Sequence, residues 1–272
     1  MRSRALVLAG TTLLLGLVAC GTEPGSTGGG SPSASPAETS TQLVYVALGD
    51  STATNYGGAS TDYPTLYGEI AADALGEQVV VQNEAVPGIT SSDLLSFLRN
   101  PPFRDSIAEA DIVTVQISVN DFRGANTAAL DGGCAANGDL SCHTEALEGV
   151  KQNLDAIVDE VLSLWDPSET VIRFIDNFDP YPGNKPFERL GLPSDYSRTI
   201  RPIVEEWNGF TCDLAESNGI PCVSLYEAFN GPRGDRSPFQ AGFLLPDGAH
   251  LTDRGHEAVA EEVAELGFAP LA

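Results

Sequence analysis

Five short runs of apolar and β-branched residues set the strongest limit on how this chain can fold. They read LVYVAL (43–48), VVVQN (79–83), IVTVQI (112–117), VIRFID (171–176) and PCVSL (221–225). Their apolar residues follow one another instead of alternating with polar ones, the pattern of strands covered on both faces. Between them lie segments with apolar residues three and four apart. The clearest is 144–165, where Leu147, Val150, Leu154, Ile157, Val161 and Leu164 share one helical face. Tyr63–Leu75, Thr90–Leu98, Tyr196–Ser217 and Thr252–Leu266 read as further helices, with Thr90 and Asp93 fitting a capping box. Strand and helix in alternation predict an α/β domain, a three-layer α/β/α sandwich around a parallel sheet of about five strands.

The 272 residues do not all belong to that domain. Residues 1–20 begin with Arg2 and Arg4 and continue with an apolar stretch from Ala5 to Val18, a signal-peptide pattern too short for a typical membrane span. Its end, Leu17-Val18-Ala19-Cys20, resembles the bacterial lipobox, which implies cleavage before Cys20 and lipidation of that residue. A plain signal peptide with an incidental cysteine is the alternative. Residues 21–42, GTEPGSTGGGSPSASPAETSTQ, hold almost no large apolar residue and read as a linker. As a flexible coil it would span roughly 25 Å r.m.s.. The folded body is then 43–272, one domain.

The charge balance excludes some partners. Lys and Arg total 14 against 38 Asp and Glu, a net charge of −24. Loss of Arg2 and Arg4 with the leader leaves 12 basic residues and a net charge of −26. Such a surface repels nucleic acid, anionic lipid and polyanionic substrates. Besides Cys20 there are four cysteines, which allow three pairings in an exported chain. Proximity in sequence favours Cys134–Cys142 and Cys212–Cys222. The spacings are not C-x-x-C and there are three histidines, so no zinc site is expected.

Ligands of open α/β sheets bind beyond the carboxyl ends of the strands. The first strand ends in Gly49-Asp50-Ser51 and the third in Ser118-Val119-Asn120-Asp121. The G-D-S triplet is weak by itself, since a chain of this composition holds it roughly 0.15 times by chance. A serine nucleophile needs a base, and the base needs an orienting group. His143 sits beside Cys142 and reads as structural or solvated. The C-terminal segment offers two Asp-x-x-His spacings, Asp247 with His250 and Asp253 with His256. Asp247 and His250 precede the last helix, where a turn can fold the carboxylate onto the imidazole. Asp253 and His256 fall in its first turns, where an Asp favours the helix dipole. The first pair is the better candidate. No pair of acids is singled out by spacing for glycosidase chemistry.

Gly-Asp-Ser early, a middle glycine in NEAVPGIT, a strand ending in x-x-Asn-Asp and a late Asp-x-x-His resemble, in that order, the SGNH or GDSL hydrolase superfamily. HLTDRGHEAVA is similar to that family's C-terminal block. The resemblance implies Ser51 as nucleophile, His250 as base and Asp247 as its orienting group. It implies an oxyanion hole made of the Ser51 and Gly88 backbone N–H groups and the Asn120 amide. A glycine after Pro87 also suits a plain turn, and Asn120 also suits a helix cap. Asp50 reads as a structural neighbour. DNFDPYPGN (176–184) is similar to the family's loop after the fourth strand, and either borders the acyl pocket or is a plain loop. Two positions depart from the pattern: Thr52 stands for the Leu of GDSL, and Ser118 stands where the family often has Gly. The Ser118 Cβ would crowd the site, or its hydroxyl would add a polar contact.

The function expected is a membrane-tethered extracellular serine esterase working through an acyl-enzyme, without metal or organic cofactor, as a monomer. Its substrate would be a small neutral or lipid-like ester, with carbohydrate O-acetyl esterase, thioesterase and lysophospholipase as close alternatives. A non-catalytic surface-binding lipoprotein is the alternative from another class.

Overall fold

The first apolar run forms β1 (Gln42–Gly49) in a computed structural model that describes residues 42–134 and 138–272. The others form β2 (Gln78–Asn83), β3 (Ile112–Gln116), β4 (Val171–Ile175) and the two-residue β5 (Cys222–Val223). All neighbours pair parallel, in the order β2-β1-β3-β4-β5. Parallel strands need crossovers, and helices supply them. These are α1 (Tyr63–Leu75), α2 (Ser91–Leu98), α3 (Pro101–Ile107), α4 (Arg123–Leu130), α5 (Ser141–Leu164), α6 (Lys185–Arg189) and α7 (Tyr196–Ser217), with α8 (Asp253–Glu265) closing the chain. The leader, Cys20 and linker residues 21–41 lie outside the described residues. Gln42, read as the last linker residue, already pairs with Gln78.

Side chains of the central strands alternate between two cores. Val46, Leu48, Val113, Val115, Ile172 and Phe174 face one side and pack on α2, α5 and α7. Tyr45, Ala47, Ile112, Val171 and Ile175 face the other and pack on α1 and α8. This is the expected three-layer α/β/α sandwich. β2 departs from the expected burial. It is an edge strand in which every residue is exposed or half-buried, and Val80 is 38% exposed. With a strand on one side only, its valines are not all enclosed.

The helix ends follow their residues. The Asp62 carboxylate accepts from Thr65 N–H at 2.9 Å and caps α1. Thr90 and Asp93 form the expected reciprocal capping box at α2. α8 begins after Thr252, whose hydroxyl accepts from Gly255 N–H. Both expected disulfides are present. Cys134–Cys142 pins the start of α5, and Cys212–Cys222 ties α7 to β5.

His256 lies fully buried where α8 meets α1, and its Nδ1 accepts from Tyr63 N–H at 3.2 Å. Burial pushes its pKa down to about 4, against the pull of Asp62 and Asp253. The unfolded chain takes up this proton near 6.5 and the folded chain does not, so the histidine destabilises the fold as pH falls from 6.5 towards 4. Asp50, Asp176 and Asp179 act with the opposite sign. Burial raises them from 3.8 to about 6, 7 and 6, so the stability they contribute is full below 3.8 and is lost as pH rises from there through those values. Comparison with His256→Gln isolates the histidine. Between pH 7 and pH 4.5 the wild type should lose about 2 kcal/mol more than the variant, read from urea midpoints. Parallel pH curves would contradict this.

Candidate active site

The Ser51 turn is built by the contact of two strands. In the β1–β3 register Gly49 stands opposite Gln116, and a Cβ on Gly49 would lie 2.5 Å from the Gln116 carbonyl oxygen. Only glycine allows that approach. The chain then turns through the 3-10 segment Ser51–Ala53. Asp50 is buried and caps it, with Oδ1 accepting from Thr52 N–H at 2.9 Å. Asn83, at the end of β2, donates from Nδ2 to the Ala53 carbonyl at 2.7 Å. Asp50 is thus a structural neighbour of Ser51, as its place in the sequence suggested.

The Asp247–His250 turn forms as expected. Asp247 Oδ1 accepts from the backbone N–H groups of Ala249 and His250 at 2.9 and 3.1 Å. Its Oδ2 lies 2.6 Å from His250 Nδ1. Partial burial pushes the Asp247 carboxyl up, but hydrogen bonds from the His250 ring and the two backbone N–H groups outweigh it and hold the pKa below its ordinary value. The turn is clamped from outside. Asn184 Nδ2 donates to the Gly248 carbonyl at 2.7 Å and to the Pro180 carbonyl at 2.8 Å. The Tyr56 ring packs edge-on against the His250 ring, centroids 4.8 Å apart.

The second Asp-x-x-His pair does not form a couple. Asp253 Oδ1 accepts from Ser60 N–H at 2.6 Å, and His256 turns inward. His143 is also structural: it is buried beside the Cys134–Cys142 disulfide, and its Nε2 lies 2.9 Å from the Tyr196 hydroxyl. Cys134, Cys142 and His143 lie close enough to suggest a metal cluster, but the two sulfurs are bonded to each other.

At the end of β3 the backbone of Ser118 is left-handed, φ 95°. A non-glycine residue pays about 1–2 kcal/mol for that conformation. This explains why glycine suits the position. The Ser118 hydroxyl binds the Ile117 carbonyl and accepts from Trp207 Nε1 at 2.9 Å. The added polar contact therefore points into the protein, and Ser118 does not line the cavity. Asn120 follows in the 3-10 turn Val119–Phe122, with Nδ2 donating to the Ile89 carbonyl at 3.0 Å. Asp121 Oδ2 accepts from Ser91 N–H and its Oδ1 accepts from the Ser91 hydroxyl, which fixes the start of α2.

Ser51, Asn120 and His250 line one cavity of about 330 Å³. The loop after β4 borders it through Phe178, Pro180 and Tyr181. Leu130, Phe187, Leu190 and Leu192 complete an apolar wall. A smaller apolar cavity shares Val119, Phe178 and Tyr181 with it and reaches Trp207. Gly88, φ 86°, is not among the lining residues; it precedes Ile89, whose carbonyl holds Asn120. Among the described residues no hydrogen bond joins Ser51 Oγ to His250 Nε2. Arg123, a further cavity residue, was not singled out in the sequence, and Asn184 was read only as part of the 176–184 loop, because each acts through contacts the chain order does not announce.

Gly248 has φ 79°, and a side chain there would collide with Asn184. Gly248→Ala should cost about 2–3 kcal/mol. Gly149→Ala in α5, where a Cβ meets open space, should be neutral or stabilise by about 1 kcal/mol. Denaturant midpoints compare the two; equal effects would contradict the clamp.

Known proteins resemble this chain in sequence or in fold. The spore germination lipase LipC of Bacillus licheniformis is 20% identical over 234 residues, covering 84% of this chain and 98% of that protein. The lipase Lip_vut3 from a goat rumen metagenome superposes with a TM-score of 0.69 at 19% identity, over 85% of this chain and all of that one. An extracellular lipase from Streptomyces rimosus gives 0.62 at 19% identity, over 82% and 99% of the two chains. The sequence profile of the GDSL-like lipase/acylhydrolase family matches residues 47–258. That match spans the Ser51 turn, Asn120 and the Asp247–His250 pair, and the chain belongs to the GDSL-like lipase/acylhydrolase family, whose members act on ester bonds.

Proposed function

We propose that this chain is a serine esterase that cleaves acyl esters through Ser51, His250 and Asp247. The observation that carries this reading is the shared cavity. Ser51 and His250 line it, and Asp247 holds the far ring nitrogen of His250 at 2.6 Å. That bond assigns the Nδ1 proton to the Asp247 side and leaves Nε2 as the base.

In the first half-reaction Ser51 Oγ attacks the ester carbonyl while His250 Nε2 takes its proton. The approach of these two atoms tightens when substrate fills the cavity. The tetrahedral oxyanion is met by the Ser51 and Gly88 N–H groups and the Asn120 amide. Collapse breaks the bond to the alkoxy group, which leaves as the alcohol with the proton from His250. Water then attacks the acyl-enzyme with His250 again as base, releasing the acid and restoring Ser51. No metal or organic cofactor takes part.

The cavity wall of Leu130, Phe187, Leu190 and Leu192 supports an acyl group that is neutral and apolar. The net charge of −24 disfavours polyanionic substrates and nucleic acid. The enzyme acts as a monomer, lipidated on Cys20 and tethered to the outer face of the cell membrane by residues 21–41. Among the described residues no helix is long and apolar enough to cross a membrane.

Hydrolysis of short-chain p-nitrophenyl esters tests the assignment. Ser51→Ala and His250→Ala should each lose at least about 10³-fold in kcat, while His256→Ala should retain activity in the fraction that folds. Asn120→Ala should lose about 10²–10³-fold. A fully active Ser51→Ala would end the proposal, and a worse loss in His256→Ala than in His250→Ala would move the base. Cys20→Ser should release the protein from the membrane fraction; unchanged partition would remove the lipid anchor.

A further inference from the structure

Arg123 opens α4, and its guanidinium folds back over the preceding turn. Nη2 donates to Asn120 Oδ1 at 2.9 Å. On the other side of the same amide, Nδ2 donates to the Ile89 carbonyl at 3.0 Å. A guanidinium can only donate and a carbonyl can only accept. The two contacts therefore fix which end of the Asn120 amide is oxygen and which is nitrogen. They also leave one Nδ2 hydrogen uncommitted on a residue that lines the Ser51 cavity. The guanidinium lies over Gly88 as well, since a Cβ there would stand 3.6 Å from Nη2. Arg123 thus bonds one of the groups proposed to join Ser51 in the oxyanion hole and lies on the side-chain side of the other. It is the one lysine or arginine among the cavity-lining residues of a chain with 38 acids, and no acid shares that lining.

Resting on the reading of Ser51 and Asn120 given above, we propose that Arg123 is a positioning residue for ester hydrolysis: it locks the Asn120 amide in its donating orientation and sets a fixed positive charge beside the forming oxyanion. Without Arg123 the amide loses its oxygen-side partner and is held in its orientation by the Ile89 carbonyl alone. Its carbonyl end would then face the oxyanion in part of the population and repel it. The charge acts at the same place, because negative charge on the substrate oxygen is largest in the tetrahedral state. Both effects belong to the transition state and not to the bound ester, so they appear in kcat and leave KM nearly unchanged.

The test is a double-mutant cycle on a neutral p-nitrophenyl ester, with Arg123→Met, Asn120→Ala and the pair together. Circular dichroism and thermal melts check that each is folded, and Arg123→Lys serves as a second single variant. Arg123→Met should lower kcat about 10–100-fold with KM within about twofold, and Arg123→Lys should recover part of that loss through its charge. In the Asn120→Ala background the same change should cost several-fold less than in the wild type, because the orienting effect has lost its target and only the charge still acts. An unchanged kcat, a rise in KM alone or fully additive losses would each overturn the proposal; a rise in KM confined to anionic esters would instead mark Arg123 as a substrate-binding group. Failure of the underlying esterase reading looks different: the wild type itself would be inactive, or Ser51→Ala would keep its activity.

Discussion

The parallel contact between β1 and β3 is the constraint from which the site follows. Gly49 faces Gln116 across that pair, close enough that no side chain fits between them. Because the two strands run the same way, the turns that leave them emerge together, one carrying Ser51 and the other Asn120. An antiparallel neighbour would send one of those turns to the opposite edge of the sheet. β4 continues the same edge and delivers the loop with Phe178, Tyr181 and Asn184. Asn184 in turn grips Gly248, so the loop after the fourth strand sets the height of the Asp247–His250 turn above the sheet.

The electrostatics of the site run against those of the chain as a whole. Three aspartates near the strand ends, Asp50, Asp176 and Asp179, are buried, and burial raises each towards neutrality. Hydrogen bonds from turn backbone limit the rise, so these carboxyls act as fasteners for the loops that end β1 and β4. Asp247 differs because a ring nitrogen and two N–H groups outweigh its partial burial, leaving an ionised carboxylate beside His250. A carboxylate kept ionised there suits the proposed role of His250, since it would stabilise an imidazolium. Arg123 is the one lysine or arginine among the residues that line the cavity, and it is bonded to Asn120.

Much of this was legible in the residues. Long elements declared themselves: Tyr63–Leu75 and Tyr196–Ser217 were read to the residue, because enough turns repeat the apolar spacing to fix the ends. α3, α4 and α6 were not read; α3 and α6, at seven and five residues, are too short to show a period, and α4 lacks the capping box that marks α2 at the same length of eight. The burial of β2 was misjudged because a run of valines says nothing about whether a strand has one neighbour or two. At the site, Asp247 and His250 were legible because their bond closes within one turn. Ser118 was legible as an anomaly but not in its consequence, since its partner Trp207 lies 89 positions away. Asn184 with Gly248 are 64 positions apart and stayed hidden for the same reason. Arg123 was missed although it lies three residues from Asn120, because a lone arginine after Asn-Asp looks like solvated surface.

The claim at the centre of this account is that Ser51 is an activated nucleophile. The most direct measurement is reaction of the folded protein with a fluorophosphonate, followed by peptide mapping of the adduct by mass spectrometry. The account predicts one adduct per chain, located on Ser51, absent from Ser51→Ala and strongly slowed in His250→Ala. A folded wild-type protein that takes up no probe, or carries it on another residue, would contradict it.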